Sequence, residues 1–583
     1  MNVPARTKPV STVAMHLIIA ATLFVYTGCT KNNIPAALDS VTAEDGTTWE
    51  RVTQPGFGND NNISVAAIGE YKGRIYATTR NDVEGAEVWR TKGDSWEQVE
   101  IVPGFKHGIY GNTMLNNLWS KMIVFKGKLY VGFSAGLQGT VLKSSGCEIW
   151  RYDGNTWEPI VSDKVDLDEE GAITGISGCA DNDDDITAQI TDATKSWATD
   201  QWAGGVLQIT SGEGAYRRFD IVSNTANTLT VQQNETTGNY GKEYTVCTLK
   251  HYSNPFPVYE YDLGPIEVGD SYEIGIGTDE NGFGDYWNKT VTEMLEFDGK
   301  IYVSTGLEYD YGAQVWYSDD GETWQVTQPP HSFGNYHNDQ NYKDGLKAVS
   351  SSISDIAVSD VSGEPVLYAA GTGTTGEKGR CTRMAKLTDS GWELIVDSSV
   401  DANDTGTNEN GFGDGIACTM NNGNFMGWSL QHFKDKFYVG INSLGGTRVL
   451  YTENGSSEDG SWFFSVGTGT NYPIGFDGEL LQTDDPNFIG TYRNIANNLF
   501  VFDDVLYAGV IDQKSEKVQL GTPLYKTIDG ETWTRVTDDS FGQKTALAFE
   551  GFATCFKAMY VGVNNASSSQ SNTGGATIFR LAK

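Results

Sequence analysis

The chain has 583 residues, with 76 acidic and 41 basic side chains, and its formal net charge at pH 7 is −35. This balance excludes proteins that hold nucleic acid or anionic lipid headgroups through a basic surface, because phosphate binding requires Lys and Arg. Beyond the N-terminal segment, no stretch of the sequence predicts a membrane-spanning helix.

The N-terminus has the features of an export signal. Arg6 and Lys8 precede an apolar run at 13–25, and Cys29 follows a Thr-Gly pair. The segment resembles a bacterial lipoprotein signal, which implies removal of residues 1–28 and lipidation of Cys29. Tyr26 stands where that signal usually has Leu, so an ordinary secretory signal is the alternative.

A lipidated Cys29 would anchor the protein stably, because a diacylated cysteine supplies the two chains that this requires. By the same resemblance, Thr30 implies the outer membrane or cell surface, with a periplasmic or secreted location as the alternative. Residues 29–44 are expected to be a tether. Loss of the two basic residues in 1–28 makes the mature net charge −35 − 2 = −37.

Two aromatic markers repeat along the rest of the chain. A tyrosine in an apolar strand recurs at Tyr76, Tyr130, Tyr302, Tyr368, Tyr438, Tyr507 and Tyr560. A tryptophan after a Gly/Asp turn recurs at Trp96, Trp157, Trp324, Trp392, Trp462, Trp533 and, out of order, Trp49. Short strands that repeat with aromatic markers at such intervals are typical of propeller blades. The sequence therefore predicts an all-β, seven-bladed propeller.

The last repeat ends after its third strand, near residues 577–580. Residues 48–52, which contain Trp49, are expected to supply the missing fourth strand. Such closure by both termini would pair the open sheet edges of the last blade. The propeller would then comprise residues 45–162 (the closing strand and blades 1 and 2) and 278–583 (blades 3–7).

An insertion separates blades 2 and 3, because Tyr130 and Tyr302 lie 172 residues apart. Alternating β-branched residues with Gly/Asn turns predict a small all-β module at 163–277. The stretch at 190–231 resembles a β-module found in phage tail and bacterial surface proteins. That resemblance implies a spacer or an adhesion element.

Cys179 and Cys247 bracket the centre of this module, and we hypothesise a disulfide between them. Cys555, within a predicted inner strand, is expected to be a buried hydrophobe. The acidic run at 181–185 could bind Ca²⁺ through its oxygens. It lacks the Gly and Glu of a defined calcium loop, so a solvated run of charges is the alternative, and no cofactor is predicted with certainty.

One face of the propeller is expected to carry the function. The turns between first and second strands and between third and fourth strands are short, whereas the other connections are long and lie on the opposite face. Those loops share a Gly-Phe-Gly or Ser-Phe-Gly motif, centred on Phe57, Phe283, Phe333, Phe412 and Phe541. Asp285 and Asp414 follow two copies and could point at a ligand or cation. The alternative is a structural loop, with Phe filling the seam between blades.

The turn at 318–324, echoed at 153–157 and 527–533, resembles the Asp-box of sialidase-type propellers, although it is one residue shorter. The resemblance implies that the aspartate caps the backbone of its turn and that Trp324 and its equivalents pack between sheets. It implies little about a reaction.

Enzyme functions find weak support in the sequence. A sialidase needs a cluster of arginines, but Arg51, Arg90, Arg151, Arg535 and Arg580 occupy equivalent, structural places in the repeat. Another glycosidase would need only two facing carboxylates, which 76 acidic residues supply by chance. No catalytic residue or metal ligand is assigned.

Four aromatic residues near loops or strand starts could stack on sugar rings or pack between blades: Trp119, Trp287, Tyr336 and Trp428. The sequence thus favours an exported, monomeric binding or scaffold protein, attached to the membrane through its lipid only. Its expected ligand is a glycan or a surface protein. The alternative is a polysaccharide-active enzyme with a carboxylate pair at the channel mouth.

Overall fold

The computed structural model describes most of the chain outside its N-terminus and several connections. The described residues are 34–81, 86–92, 94–99, 120–134, 146–161, 164–182, 185–212, 218–233, 243–244, 249–250, 266–278, 281–284, 288, 290–306, 313–327, 349–375, 379–396, 412, 426–442, 447–456, 461–467, 476, 493–512, 521–565 and 575–582. The fold is all-β, with short 3₁₀ segments at Pro55–Gly58 and Asn281–Gly284. No helix in this part of the chain is long and apolar enough to cross a membrane.

The strands group into antiparallel units of four. The N-terminal strands are β1 (Asp39–Thr42) and β2 (Thr48–Arg51). Unit 1 contains β3 (Asn62–Tyr71), β4 (Arg74–Asn81), β5 (Val88–Lys92) and β6 (Ser95–Gln98). Unit 2 contains β7 (Ser120–Phe125), β8 (Lys128–Phe133), β9 (Glu148–Tyr152) and β10 (Trp157–Val161).

A separate sheet follows unit 2. Its strands are β11 (Lys164–Ala172), β12 (Gly175–Asn182), β13 (Asp185–Thr191), β14 (Val206–Ile209), β15 (Arg218–Asn224), β16 (Thr228–Gln233) and β19 (Ser271–Thr278), while β17 (Glu243–Tyr244) and β18 (Leu249–Lys250) form a small hairpin. The spatial order is β11-β19-β14-β15-β16-β13-β12. The sheet has a hydrophobic core separate from those of the four-stranded units, and this core includes Trp197, Trp202 and Tyr272.

The later units repeat the pattern of units 1 and 2. Unit 3 contains β20 (Thr290–Phe297), β21 (Lys300–Gly306), β22 (Val315–Ser318) and β23 (Gln325–Val326). Unit 4 contains β24 (Val349–Ser359), β25 (Val366–Thr375), β26 (Gly379–Thr388) and β27 (Gly391–Val396). Unit 5 contains β28 (Met426–Phe433), β29 (Lys436–Asn442), β30 (Arg448–Thr452) and β31 (Trp462–Val466). Unit 6 contains β32 (Arg493–Phe502), β33 (Val505–Asp512), β34 (Leu524–Thr527) and β35 (Trp533–Thr537).

Unit 7 draws on both ends of the chain. It contains β36 (Ala546–Cys555), β37 (Ala558–Asn565) and β38 (Thr577–Ala582), with β2 paired to β38 and β1 added outside β2. Glu50 lies opposite Arg580. β1 falls inside the segment at 29–44 that the sequence assigns to a tether, so the ordered body begins earlier than expected.

The first strands of the units contact one another in a cyclic order. β3 contacts β7, and the contacts continue through β20, β24, β28, β32 and β36, which returns to β3. Seven of the eight hydrophobic clusters of buried residues each join two neighbouring units. This arrangement is that of a β-propeller.

The recurring tyrosines and tryptophans form these clusters. Tyr76, Tyr130, Tyr368, Tyr438 and Tyr560 are each at most 2% exposed. The second strand of every unit lies between two other units, so both of its faces are apolar, and it reads as a continuous hydrophobic run. Cys555 is also buried, as expected.

Candidate functional site

The two ends of the units differ in the length of their connections. At one end, the first and second strands of six units are joined by two-residue turns, of which 72–73 and 126–127 have positive φ at both residues. Turns of this type match the twist of the strands that they join, and they favour Gly. At the other end lie the longer connections, including the segment that leads into and out of the separate sheet. We call these ends the short-turn face and the long-connection face.

Most of the residues that the sequence suggested for ligand binding lie outside the described part of the chain. These are Trp119, Trp287, Tyr336, Asp285 and Asp414, together with Cys29 and Cys247. Cys179 is on β12. Trp428 is on β28, partly buried, at a bulge between Gly427 and Ser429.

The Gly-Phe-Gly loops pack their phenylalanine inside the protein. Phe57 stacks on Trp89, with ring centroids 5.0 Å apart, and meets Trp96 edge-on at 5.3 Å. Gly56 and Phe57 both have positive φ, near 60°, a conformation that Gly adopts readily and Phe rarely. Phe283, Phe412 and Phe541 make similar ring contacts. In each described copy the ring therefore has a packing role, as the structural-loop alternative implies.

The sequence analysis missed one copy of this loop. Phe476 stacks on Tyr525 at 4.2 Å and meets Trp533 edge-on at 5.1 Å, as Phe57 does in unit 1. Its loop reads Gly-Phe-Asp-Gly rather than Gly-Phe-Gly. The Gly-Phe pair at 475–476, in the connection between β31 and β32, was the signal that could have found it.

A buried polar network lies beside the loop in unit 1. The Glu87 carboxylate is 4% exposed and accepts hydrogen bonds from Asn62 Nδ2 (2.7 Å), Trp89 Nε1 (2.9 Å) and Asn59 Nδ2 (3.1 Å). In unit 3, Gln314 Oε1 accepts the equivalent bonds from Asn288 and Trp316. A buried carboxylate that accepts three hydrogen bonds from neighbouring side chains has a structural role.

The acidic turns of the short-turn face cap their own backbone. Asp320 Oδ1 accepts hydrogen bonds from the backbone N–H groups of Thr323 (2.7 Å) and Glu322 (2.8 Å), and these bonds lower the pKa of Asp320. Asp529 and Asp153 make the same kind of cap, and the pKa of each is also lowered by its backbone bonds. These carboxylates accept hydrogen bonds from the backbone of their own turns and therefore have a structural role.

Each such turn also contacts the preceding unit. The Nζ atoms of Lys72, Lys126 and Lys434 donate to the carbonyl oxygens of Asp153, Asp319 and Ile528, respectively, in the next unit. The hydroxyl groups of Tyr130, Tyr368 and Tyr438 lie against the turn glycines Gly321, Gly455 and Gly530 of the next unit. The arginines at repeat-equivalent places pair with acidic residues, as expected; Arg151, for example, binds Glu158 and Glu322. The repeated motifs thus build the contacts between units.

The first strands bring together a ring of mostly polar residues that were not predicted from the sequence. In units 1–6 the ring residue lies five positions before the connection to the second strand, and in unit 7 Glu550 takes the equivalent place opposite Gly562. The residues at this ring position are Ala67, Lys121, Glu293, Asp355, Ser429, Asn498 and Glu550. In five units a β-bulge immediately precedes the ring position, and a bulge changes the direction of the side chains that follow it.

Side chains of the ring bridge neighbouring first strands. Lys121 Nζ donates to Glu293 Oε2 at 2.7 Å, and Leu430 N–H donates to Asp355 Oδ2 at 2.6 Å. Glu550 Oε2 accepts from Ser64 Oγ at 2.8 Å. Ser429 and Asn498 donate to the carbonyl oxygens of Ala496 and Phe549. Neighbouring first strands make few backbone ladder bonds, so these side chains supply polar links around the centre.

The charged members of the ring influence one another. Burial, and then the negative charge of Glu293, raise the pKa of Asp355 well above its ordinary value. Burial alone would lower the pKa of Lys121, but the carboxylates of Glu293 and Asp355 outweigh it and raise that pKa. The site therefore contains a Lys121–Glu293 ion pair and, beside it, a second carboxyl group whose pKa is raised.

The raised pKa of Asp355 makes its carboxyl group the member of the ring best suited to donate a proton. Within the described ranges, no group of three or more His, Cys, Asp or Glu side chains is placed to hold a metal ion. Within the acidic run at 181–185, Asn182 pairs with Asp185, and residues 183–184 lie outside the described part of the chain.

Comparisons with known proteins give only distant likenesses. No family model matches the chain, and no curated protein matches it. The polysaccharide lyase Uly1 is 10% identical with a TM-score of 0.40, over 91% of this chain and 92% of that one. YCF48 from Cyanidioschyzon merolae is 9% identical with a TM-score of 0.38, over 92% and 98%. The GH93 α-L-arabinofuranosidase of Fusarium graminearum is 8% identical with a TM-score of 0.31, over 79% and 92%.

Proposed function

We propose that the chain is an exported, lipid-anchored, seven-bladed β-propeller that binds a glycan or a surface protein through its long-connection face. In this proposal residues 1–28 are a signal peptide, and Cys29 is lipidated at the outer membrane or cell surface. The N- and C-terminal strands close the ring, and the capped acidic turns are Asp-box repeats. The mature protein acts as a monomeric binding or scaffold protein.

One observation carries the choice of face. On the short-turn face, the repeated lysines, aspartates, glycines and tyrosines are engaged in capping turns and joining units, as Lys126, Asp320 and Tyr130 illustrate. The repeated loop phenylalanines pack against aromatic rings of their own units, as Phe57 does on Trp89 and Phe283 on Trp316. Specificity then resides in the unequal connections of the other face, because those vary from unit to unit while the scaffold does not.

The separate sheet is the largest of these unequal connections, and we propose that it is an inserted module (163–277) that contributes to binding. Its entry strand β11 and its exit strand β19 pair along their length, from Lys164 opposite Thr278 to Ala172 opposite Ser271. A module whose two ends are adjacent can occupy a loop without displacing the strands on either side.

The proposal is tested with a glycan array that also reads out hydrolysis, using the mature protein and a variant in which residues 164–278 are replaced by a short Gly/Ser linker. Binding without turnover, weakened by the deletion, would support the proposal. A matched control changes an exposed residue of the short-turn face, Glu531→Gln, and should leave binding unchanged. Equal binding by wild type and the deletion variant would refute the role of the module, and failure to bind any glycan or surface extract would refute the binding function.

A second candidate function follows from the ring at the centre. The ring combines the Glu293 carboxylate, which pairs with Lys121, and the Asp355 carboxyl group, whose pKa is raised. A pair of carboxyl groups of this kind could act as the base and the acid of a polysaccharide-active enzyme. The raised pKa of Asp355 beside the Lys121–Glu293 ion pair is the specific observation in favour of catalysis.

Substitution at the ring separates the two functions. If the ring is catalytic, Asp355→Asn and Glu293→Gln should each lower turnover of a cleaved glycan by 10² or more, as loss of a general acid or base does, without weakening its binding. A matched polar substitution at the same ring position in another unit, Asn498→Ser, should retain turnover. Unchanged turnover in both carboxylate variants would exclude the ring as an active site.

A further inference from the structure

The chain enters the propeller at the outer edge of unit 7. β1 pairs with β2, where Asp39 lies opposite Arg51, and the backbone N–H of Leu38 donates to the Arg51 carbonyl at 2.8 Å. The carbonyl of Pro35, a buried residue, accepts a hydrogen bond from Arg580 Nη1 at 2.9 Å. The N-terminal segment is therefore held against the body from Pro35 onward. We call residues 35–51 the unit 7 edge.

This attachment leaves little chain for a tether. If Cys29 is lipidated, as proposed above, only residues 30–33 lie between the lipidated residue and Ile34. Five Cα–Cα steps of extended chain reach at most about 18 Å. A lipid on Cys29 would consequently hold the unit 7 edge close to the bilayer surface, rather than letting the propeller move freely above it.

Charge on the unit 7 edge suits this position. The edge contains four acidic residues, and each pairs with a base: Asp39 with Arg51, Glu44 with Arg535, Asp45 with Lys526 and Glu50 with Arg580. The chain as a whole has a net charge of −35. Uncompensated carboxylates are repelled by anionic headgroups within about one Debye length, roughly 8–10 Å in physiological salt. Paired carboxylates on this edge reduce that repulsion where the surfaces would be closest.

Apolar groups lie at the same place. Ala36 and Ala37 are exposed, and 49% of the Leu38 surface is accessible to solvent. Single exposed apolar residues are ordinary, but three in succession next to the proposed anchor can rest on the interfacial region of a bilayer without burying a charge. They add to the argument from tether length and charge pairing.

We propose that the unit 7 edge is the membrane-facing side of the anchored protein, with a phospholipid bilayer surface as its partner. The propeller then stands with unit 7 nearest the membrane. The separate sheet leaves the ring between units 2 and 3, on the side away from unit 7, and is held out toward the surroundings. This orientation gives the inserted module first access to a ligand that approaches the cell.

The test places a fluorophore, on a genetically encoded azidophenylalanine, at Ser40 of the unit 7 edge or at Ser390 in the exposed outer turn of unit 4. The full-length lipidated protein is reconstituted into vesicles of phosphatidylethanolamine and phosphatidylglycerol that carry nitroxide-labelled headgroups. Quenching severalfold stronger at Ser40 than at Ser390 is the expected result. Equal quenching, or stronger quenching at Ser390, would overturn the proposed orientation.

Two further variants separate the orientation from the anchor. Insertion of about twenty Gly/Ser residues after Asn33 should abolish the difference in quenching, because a long flexible linker releases the edge from the surface. Cys29→Ala should abolish flotation with the vesicles. If the wild-type protein itself fails to float, both the anchor and the orientation are wrong. If it floats but both positions are quenched alike, the anchor stands and the orientation is wrong.

Discussion

At the scale of single residues, two aspartates show how surroundings decide what a carboxylate contributes. Asp355 is in the central ring, where burial and Glu293 raise its pKa. Asp320 caps a turn, where backbone N–H groups lower its pKa. A raised pKa in the folded state means that ionisation opposes folding, and a lowered pKa means that ionisation favours it. The two side chains should therefore affect stability with opposite signs.

Asp355→Asn is expected to stabilise the protein at neutral pH. The folded-state pKa lies above the unfolded value of about 3.9, so the wild type loses stability as the pH rises from that value toward the folded pKa. The amide oxygen of Asn can still accept the Leu430 N–H bond. Chemical denaturation across pH should show a more stable variant at pH 7 and equal stabilities below about pH 4. A variant less stable than wild type at pH 7 would contradict the raised pKa.

Asp320→Asn is the matched substitution with the opposite expectation. Its lowered pKa supplies stability above the unfolded value of about 3.9, and that stability is lost as the pH falls through the folded pKa. The variant should be less stable than wild type at neutral pH, and the difference should shrink in acid. The same denaturation series measures both variants. Parallel pH profiles for the two variants would show that environment does not separate these aspartates.

Glu87 should tolerate replacement by Gln but not by Leu. Gln314 takes the equivalent place in unit 3 and accepts the same bonds from an asparagine and a tryptophan. We expect Glu87→Gln to change the free energy of unfolding by about 0.5 kcal/mol or less, whereas Glu87→Leu leaves the buried donors of Asn62 and Trp89 without an acceptor and costs about 2 kcal/mol or more. Thermal and urea unfolding of both variants would measure this, and equal costs would disprove the equivalence of the two units.

At the scale of elements, the contact between a turn and the preceding unit can be measured at Gly530. Its φ is +81°, and a Cβ there would overlap Tyr438 Oη. Gly542 has a similar φ of +87°, and a Cβ there would meet no atom of the described residues within 4 Å. Gly542→Ala should cost the backbone strain alone, about 1–2 kcal/mol. Gly530→Ala should cost at least about 1 kcal/mol more, because a packed neighbour must move.

Tyr438→Phe supplies the control for the steric part of this prediction. The Tyr438 hydroxyl is buried, and among the described residues it has no hydrogen-bond partner. Its removal alone should be close to neutral. In combination with Gly530→Ala it should recover part of the extra cost, and with Gly542→Ala it should recover none. Additive effects of Gly530→Ala and Tyr438→Phe in unfolding measurements would show that the turn does not press on the preceding unit.

The repeated elements were predictable from the sequence because each copy packs in the same way. A tyrosine equivalent to Tyr438 and a tryptophan equivalent to Trp533 recur near the turns of successive units, so the strands that carry them could be assigned without a structure. Phe476 was missed because its loop replaces the second Gly by Asp, although its ring packs as Phe57 does. The phenylalanine in the connection between two units is therefore the shared feature, and the residues on either side of it vary.

The central ring was not predictable in the same way. Its members differ in chemical type, from Ala67 to Lys121 and Asp355, so no motif repeats at this position. A β-bulge sets the direction of most of these side chains, and simple alternation along a strand does not anticipate a bulge. Counting five residues back from the connection between the first and second strands would have found six of the seven. The ring residues come together only when the first strands of all units meet at the centre, so a prediction made one strand at a time does not identify them.

At the scale of the whole molecule, contacts between units occur at three depths. Polar ring residues join first strands at the centre, aromatic clusters fill the seams, and lysines and tyrosines join turns at the short-turn face. Each unit thus depends on its neighbours, as expected when single units cannot bury their own hydrophobic faces. Unit 7 is the exception in connectivity, since β2 comes from the other end of the chain. Closure there should control whether the propeller is stable.

The decisive change is removal of β2. Trp49 on β2 is fully buried, 4.7 Å from the ring of Phe541, and Val52 N–H donates to the Ile578 carbonyl at 2.9 Å. A chain that begins at Thr53 lacks these contacts and exposes the backbone of β38 as an unpaired edge, which invites association with other chains. Size-exclusion chromatography should show larger soluble aggregates than the wild type forms, and thermal unfolding should show a lowered unfolding temperature.

Adding back the missing strand distinguishes closure from a general effect of truncation. A synthetic peptide of residues 34–52 should restore the elution volume of the wild type and raise the unfolding temperature as its concentration rises, because it binds only the folded body. The same peptide with Trp49→Ala should bind far more weakly, since removal of a buried tryptophan costs about 3–5 kcal/mol, equivalent to a loss of roughly 10² or more in affinity. If the truncated chain elutes as the wild type does and is equally stable without peptide, then β2 is an addition to a ring that closes without it, and the seventh unit is complete with three strands.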